Sequence, residues 1–215
     1  MYNINRERLI KTFVELAEIP SPSWKEEQIL KYLIKRFDKL GANCQTYRCG
    51  ESFNLLIRFK GNSNQNPILL SGHMDTVIPC DKVKAIISDT KITSDGTSVL
   101  GSDDKAAIAM FIEAFEYIKE NKIKHGDIEI LLTCAEEQGL KGIKGFDLSV
   151  LMAKYGFVFD SSGSIGKVIV KAPYHSNMTI TIKGKASHAG MAPEKGINAI
   201  RVLSEIISQI PQGRI

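Results

Sequence analysis

Residues 128–139 read IEILLTCAEEQG. A short apolar run closes on two adjacent glutamates, Glu136 and Glu137, with a glycine just beyond. The run is too short for a stable helix and reads as a buried strand. Two neighbouring carboxylates repel each other, so the end of a buried strand is a poor place for them on stability grounds alone. Either both are solvated in a loop, or something positive sits there.

The same pattern recurs outward along the chain. NPILLSGH (66–73) is an extended apolar run that closes on His73, followed by Met74 and Asp75; GFVFD (156–160) closes on Asp160. Between them KAAIAMFIEAFEYIKE (105–120) has helical spacing, with Ala106, Met110, Phe111, Ala114, Phe115 and Ile118 as its expected apolar face. Residues 5–18 and 25–39 carry the same period, and Ser23-Trp24-Lys25-Glu26 reads as a capping box opening the second helix. NCQTYRC and NLLIRFKG are further extended runs, and 83–100 reads as a β-hairpin region with turn chemistry at Ser94-Asp95-Gly96. Strands alternating with helices predict an α/β fold, a mostly parallel sheet sandwiched by helices.

Past Asp160 the texture changes. SSGSIG is a small-residue linker, followed by extended runs KVIVKA and SNMTITIKGKA and a helix, INAIRVLSEIISQI. The expected boundary falls near Gly163–Gly166, giving one domain over 1–164 and a smaller α+β one over 165–215. The second is marginal for independent folding.

Bulk properties exclude several classes. The chain has 215 residues, 28 basic and 24 acidic, for a net charge of +4 without a long basic run, so no nucleic-acid footprint is read. No stretch is long and apolar enough to span a membrane, and MYNINRERLIKTF lacks the pattern of a signal peptide. Cys44, Cys49, Cys80 and Cys134 show no C-x-x-C spacing, which fits a cytoplasmic address better than a disulfide framework.

Three strand ends and one helix start carry chemistry. A histidine with a carboxylate beside it, as in His73-Met74-Asp75, suits a metal-bound imidazole whose other ring nitrogen donates to the carboxylate. Read alone, it is more often a histidine that ends a strand by chance, since short H-x-D matches are frequent. Gly101-Ser102-Asp103-Asp104-Lys105 opens the strong helix; the macrodipole accounts for one aspartate there, whereas a second exceeds what capping requires. Carboxyl ends of parallel strands are where sites form. His73, Glu136/Glu137 and Asp160 each end a strand, and a mixed histidine–carboxylate set suits zinc, or cobalt or manganese in its place.

SGHMDTV, GSDDKAA, CAEEQG, FVFDSSG and GKASHAGMAPEKGINAI occur in this order along almost the whole chain. Together they resemble the co-catalytic di-zinc exopeptidases and amidohydrolases, nearest to the peptidase T-like (tripeptide aminopeptidase) branch. The resemblance implies a catalytic domain followed by the start of a lid or dimerisation domain, and two zinc ions. His73 and Asp160 would ligate the first zinc, with Asp75 orienting the imidazole. Asp103 would bridge both across a cis Asp103–Asp104 peptide, and Glu137 would hold the second. Glu136 would be the general base that takes the proton of a metal-bridging water, and His188 would stabilise the oxyanion, often across a homodimer. The implied reaction is removal of amino-terminal residues from tripeptides. Deacylation of N-acyl amino acids, carboxypeptidase action and a non-catalytic interaction role are the alternatives. His125, His175 and Cys134 match no metal motif and read as loop or core residues. Relatives also carry a later segment with a further histidine for the second zinc. On the resemblance this chain reads as an amino-terminal portion, holding at most one zinc tightly and having little activity alone.

Overall fold

In the computed structural model, which describes residues 4–172 and 178–211, the chain divides into two compact units, 1–163 and 164–215. His175, read above as a loop histidine, lies outside the described residues. The first unit runs α1 (Arg6–Ala17), α2 (Glu27–Leu40), β1 (Asn43–Cys49), β2 (Ser52–Phe59), β3 (Ile68–His73), a small hairpin of β4 (Ala85–Ile87) and β5 (Ile92–Ser94), α3 (Ser102–Glu120), β6 (Ile128–Thr133), α4 (Lys141–Lys144) and β7 (Tyr155–Val158).

Five strands form one sheet in the order β1-β2-β6-β3-β7. β3 pairs in parallel with both β6 and β7, while β2 runs antiparallel to β6 and to β1. Only β2 is therefore reversed. β6 is buried along its whole length, as its apolar run requires. Alternation splits its side chains between two layers. Ile128, Ile130 and Leu132 join Leu55, Ile57 and Phe59 in the core beneath α1, α2 and α3. Leu131 and Leu56 face the other way, onto Phe146, with Tyr47, Leu69, Ile143, Val150 and Leu151 around them. Helices thus lie on both faces, but unequally: three long ones on one side, and the short 141–151 segment on the other.

Local chemistry sets the helix ends. Asn5 caps α1 by accepting the Arg8 N–H at 3.0 Å, and Gly41 ends α2 at φ 92°, a left-handed conformation that glycine adopts without penalty. Arg8 then ties α1 to α3. Its Nε donates to Glu113 Oε2 at 2.6 Å, Nη2 donates to Glu113 Oε1 at 2.9 Å, and it also pairs with Glu120. Glu113 is thereby buried as part of an ion pair.

Three expectations are corrected. α3 covers most of the face the sequence suggested, including Phe111 and Phe115, but buries a wider arc and leaves Met110 out. Met110 is 46% exposed, whereas Ala107, Ile108, Ala109 and Ile112 are buried along with Phe111 and Phe115. The helix is wedged between α1, α2 and the sheet, so its covered arc is set by three neighbours rather than one. The β4–β5 turn lies at 88–91, where the Ser88 N–H donates to Lys91 O at 2.9 Å. Ser94-Asp95-Gly96 instead begins on the last residue of β5, with Asp95 Oδ1 accepting the Thr97 N–H at 2.9 Å. In the second unit, the described parts of KVIVKA and SNMTITIKGKA form no ladder, and the pairing there is a single bridge between Lys185 and Ile197. An extended run becomes a strand only with a partner at its edge. The helix of this unit, α5 (Ala199–Ile207), does form, capped by Asn198 accepting from the N–H groups of Ile200 and Arg201. No described helix is long and apolar enough to cross a membrane.

The burial pattern is testable. Ile130→Ala, at a fully buried position of the central strand, should cost about 2–5 kcal/mol in urea unfolding. Met110→Ala should change stability by no more than about 0.5 kcal/mol. Equal losses would contradict this packing of α3.

Candidate metal centre

Because β3, β6 and β7 run parallel, their carboxyl ends emerge on one edge of the sheet. His73 is the last residue of β3, directly opposite Thr133, and Glu136 follows three residues later. Asp160 follows β7, and Asp103 and Asp104 sit at the kinked start of α3, joined by a cis peptide bond. The fold brings His73, Asp75, Asp103, Glu136, Glu137 and Asp160 together. The buried imidazole is the hub. Its Nε2 lies 2.9 Å from Asp103 Oδ1, 4.0 Å from Glu136 Oε2 and 4.0 Å from Asp160 Oδ2. Two overlapping donor sets result, His73 with Glu136 and Asp160, and His73 with Asp103 and Glu137, the donor atoms of each within 4.8 Å of one another. This grouping differs from the division the family resemblance implies, in which Glu136 is no ligand.

The other ring nitrogen of His73 faces Asp75 twice over, 2.9 Å from its backbone oxygen and 3.5 Å from its carboxylate. The Asp75 side chain, fully buried, has further work. Oδ1 accepts the Glu136 N–H at 2.9 Å, and Oδ2 accepts the Glu137 N–H at 3.2 Å and the Ser23 hydroxyl at 2.7 Å. Burial opposes its charge, but His73, Ser23 and the Glu136 amide outweigh that and hold its carboxyl below the usual range.

Around it the electrostatics are unbalanced. Burial, and then the neighbouring carboxylates, push Glu136 and Glu137 above the ordinary glutamate range. Burial pushes Asp104 up to about 8, with Asp160 and Asp103 adding to it. Its Oδ2 is buried without a hydrogen-bond partner, 2.3 Å from where any Cβ at Gly72 would stand, so only glycine fits opposite it. Burial works against the His73 cation, but hydrogen bonds to Asp75 and Asp103 raise it to about 10. Among the described residues, no lysine or arginine pairs with Asp103, Glu136, Glu137 or Asp160; His73 alone does. One imidazole among this many carboxylates is a donor set short of positive charge. That fits a divalent cation of the zinc, cobalt or manganese kind.

Two contributors were hidden by a local pattern. Ser23 and Glu26 form no capping box: α2 starts at Glu27 without a side-chain cap. The Ser23 hydroxyl goes to Asp75 instead. Glu26 Oε1 accepts the N–H groups of Trp24 at 3.0 Å and of Ala135 at 2.9 Å. Ala135 has φ 45°, a left-handed conformation that costs a residue with a Cβ about 1–2 kcal/mol. A third contributor, Lys105, is wholly buried with its ammonium on Ile19 O at 2.7 Å, and burial lowers it to about 8. Nothing in the periodicity of the sequence marks a lysine or glutamate for burial.

The other described histidines are in neither donor set. His125 sits in a loop, its Nδ1 2.7 Å from Gly126 O and its amide on Asn62. His188 belongs to the second unit and is exposed. Its Nδ1 accepts the N–H groups of Gly190 at 3.2 Å and Met191 at 3.1 Å. With Nδ1 an acceptor, the neutral ring carries its proton on Nε2, a donor. Cys134 is buried beside Asn54, whose Oδ1 accepts its amide at 3.0 Å.

Residues 54–192 match the profile described as Peptidase family M28, and 174–214 that of a Peptidase dimerisation domain. YqjE of Bacillus subtilis, an uncharacterized protein, is 40% identical over 99% of this chain and 58% of its own length. Peptidase T of Fusobacterium nucleatum is 37% identical over 72% of this chain and 38% of its own length. The crystal structure of aminopeptidase PepT from Bacillus cereus superposes with a TM-score of 0.85 at 38% identity, covering 99% of this chain and 58% of that one. A tripeptidase from Staphylococcus aureus gives a TM-score of 0.87 at 33% identity, covering 98% and 58% respectively. The chain thus spans 58% of the length of YqjE. With the M28 profile spanning well over half of it and the dimerisation-domain profile following, the chain belongs to the peptidase T-like zinc exopeptidase family.

Proposed function

We propose that the protein hydrolyses amide bonds of small peptides in a metal-dependent reaction, with removal of amino-terminal residues from tripeptides as its activity. The observation that carries this is the ring of Asp103, Glu136, Glu137 and Asp160 around His73 Nε2 at the carboxyl edge of the sheet. The names of the B. cereus aminopeptidase and the S. aureus tripeptidase supply the substrate class.

In this reading His73, Asp103 and Asp160 would hold one dication, and Asp103 with Glu137 would hold a second. A bound zinc supplies Lewis acidity, polarising the scissile carbonyl and lowering the pKa of water. The protein supplies the rest. Glu136, half-buried with its affinity for protons raised, accepts the proton of the attacking water and returns it to the leaving amine. Asp75 orients His73 and both glutamates. His188, with its proton on Nε2, donates to the oxyanion formed at the carbonyl. The first unit is the catalytic domain, and the second, carrying the dimerisation-domain match, serves as lid and homodimer contact. Four unpaired cysteines suit a reducing cytoplasm.

In a full-length relative of this chain, Glu136→Gln should keep zinc and lower kcat on trialanine by about 10²–10⁴-fold. Glu137→Gln should instead weaken the second metal. A Glu136→Gln protein with near-parental turnover would contradict the assignment. Cleavage of N-acetyl amino acids in preference to trialanine would move the substrate class to N-acyl compounds.

His188→Ala should lower kcat by about 10²–10³-fold with zinc content unchanged. An unaltered kcat would remove His188 from the reaction.

A further inference from the structure

The connection between α1 and α2, residues 18–26, bonds to every segment around the centre except the one carrying Asp160. Ile19 O receives the ammonium of Lys105 at 2.7 Å, two residues beyond Asp103. Ser21 O receives the Thr76 N–H at 2.9 Å, and the Ser23 hydroxyl reaches Asp75 at 2.7 Å. Glu26 receives the Ala135 N–H at 2.9 Å, immediately before Glu136. None of these residues of the connection is in either donor set.

Glu26 is the member whose placement most needs a reason. It is 0% exposed, and no cation pairs with it among the described residues. Its Oε2 has no hydrogen-bond partner at all. Burying a carboxylate in this way is costly, and α2, which begins one residue later, takes no side-chain cap from it. Apart from the neighbouring Trp24 amide, its bond is to Ala135. That residue holds the left-handed turn at which the chain leaves β6. The next two amides, of Glu136 and Glu137, end on Asp75. Three successive N–H groups are thus held by two buried carboxylates, and both glutamate side chains project from this cradle towards His73.

We propose that Glu26 is a positioning residue for Glu136 and Glu137. By pinning the Ala135 amide it fixes the turn, and the turn fixes where both side chains stand relative to the His73 imidazole. The inference rests on the metal-dependent reading above. Losing Glu26 leaves the two Asp75 anchors in place, so the turn loosens rather than collapses. Catalysis and metal affinity then suffer while peptide binding does not.

Glu129 supplies the control. It too is fully buried, accepting the N–H groups of Met152 at 2.8 Å and Ala153 at 2.9 Å and pairing with Arg58 at 2.9 Å. The zinc-loaded protein, Glu26→Met and Glu129→Met, each substitution removing the acceptor oxygens, should be compared for three properties. These are amide hydrogen exchange over 134–138, zinc affinity by chelator competition, and kcat and KM on trialanine. Glu26→Met should speed exchange there and lower zinc affinity and kcat by about 10–100-fold each, with KM within about threefold. Glu129→Met should lower the melting temperature and leave all three unchanged. If both variants lose only melting temperature, Glu26 is structural and the proposal is overturned. If the parent does not cleave trialanine, the proposed activity fails, while exchange and zinc affinity still decide the role of Glu26. If Glu26→Met does not fold, the Ala135 amide of the parent decides. A downfield proton resonance with protection equal to that of the β6 amides supports the proposal, and exchange as fast as in exposed loops overturns it.

Discussion

Two adjacent carboxylates can stand at the end of a buried strand only if their backbone is held firmly and their charge is met. The first condition is satisfied by Glu26 and Asp75, which between them take the N–H groups of Ala135, Glu136 and Glu137. The second is satisfied only partly by the protein, through the single imidazole of His73. Other features of the first unit follow from these demands. β3 lies beside β6 so that His73 emerges opposite Thr133, and Gly72 lacks a side chain so that the buried carboxylate of Asp104 fits against it. The start of α3 abandons helical geometry at Asp103 and Asp104 to bring the Asp103 carboxylate to His73. Stability alone asks for none of this. A set of buried and half-buried carboxylates, several of them raised above their ordinary range, is a local loss that a bound dication would offset.

What was legible in the sequence follows the same logic. Apolar runs that close on His73, Glu136 and Asp160 mark strand ends directly, because the period of a strand and its terminus are both local features. Parallel pairing then makes those ends meet. Ser23 and Glu26 were misread because a serine and a glutamate three apart satisfy a helix cap on paper. The structure spends both on contacts to Asp75 and Ala135, 52 and 109 residues away. The buried arc of α3 was drawn too narrow for a related reason. Periodicity finds one apolar stripe, and a helix packed between α1, α2 and the sheet has more than one. The reversed direction of β2, and the lack of a ladder among the described residues beyond 166, depend on which edges come together, which no single run reveals.

The second unit adds one chemical detail of its own. The turn at 188–191 folds its Gly190 and Met191 amides onto Nδ1 of His188, so a single loop sets the tautomer of an exposed imidazole. A histidine prepared as an Nε2–H donor suits the stabilisation of a developing negative charge.

X-ray absorption at the zinc edge of the loaded protein addresses the metal centre most directly. The expected spectrum has a first shell of imidazole nitrogen and carboxylate oxygen at about 2.0–2.2 Å with no sulfur, and the imidazole contribution disappears in His73→Ala. A sulfur shell at about 2.3 Å, drawing on Cys134 beside the glutamates, or an imidazole signal that survives His73→Ala, would contradict a centre built on His73 and the carboxylates of the sheet edge.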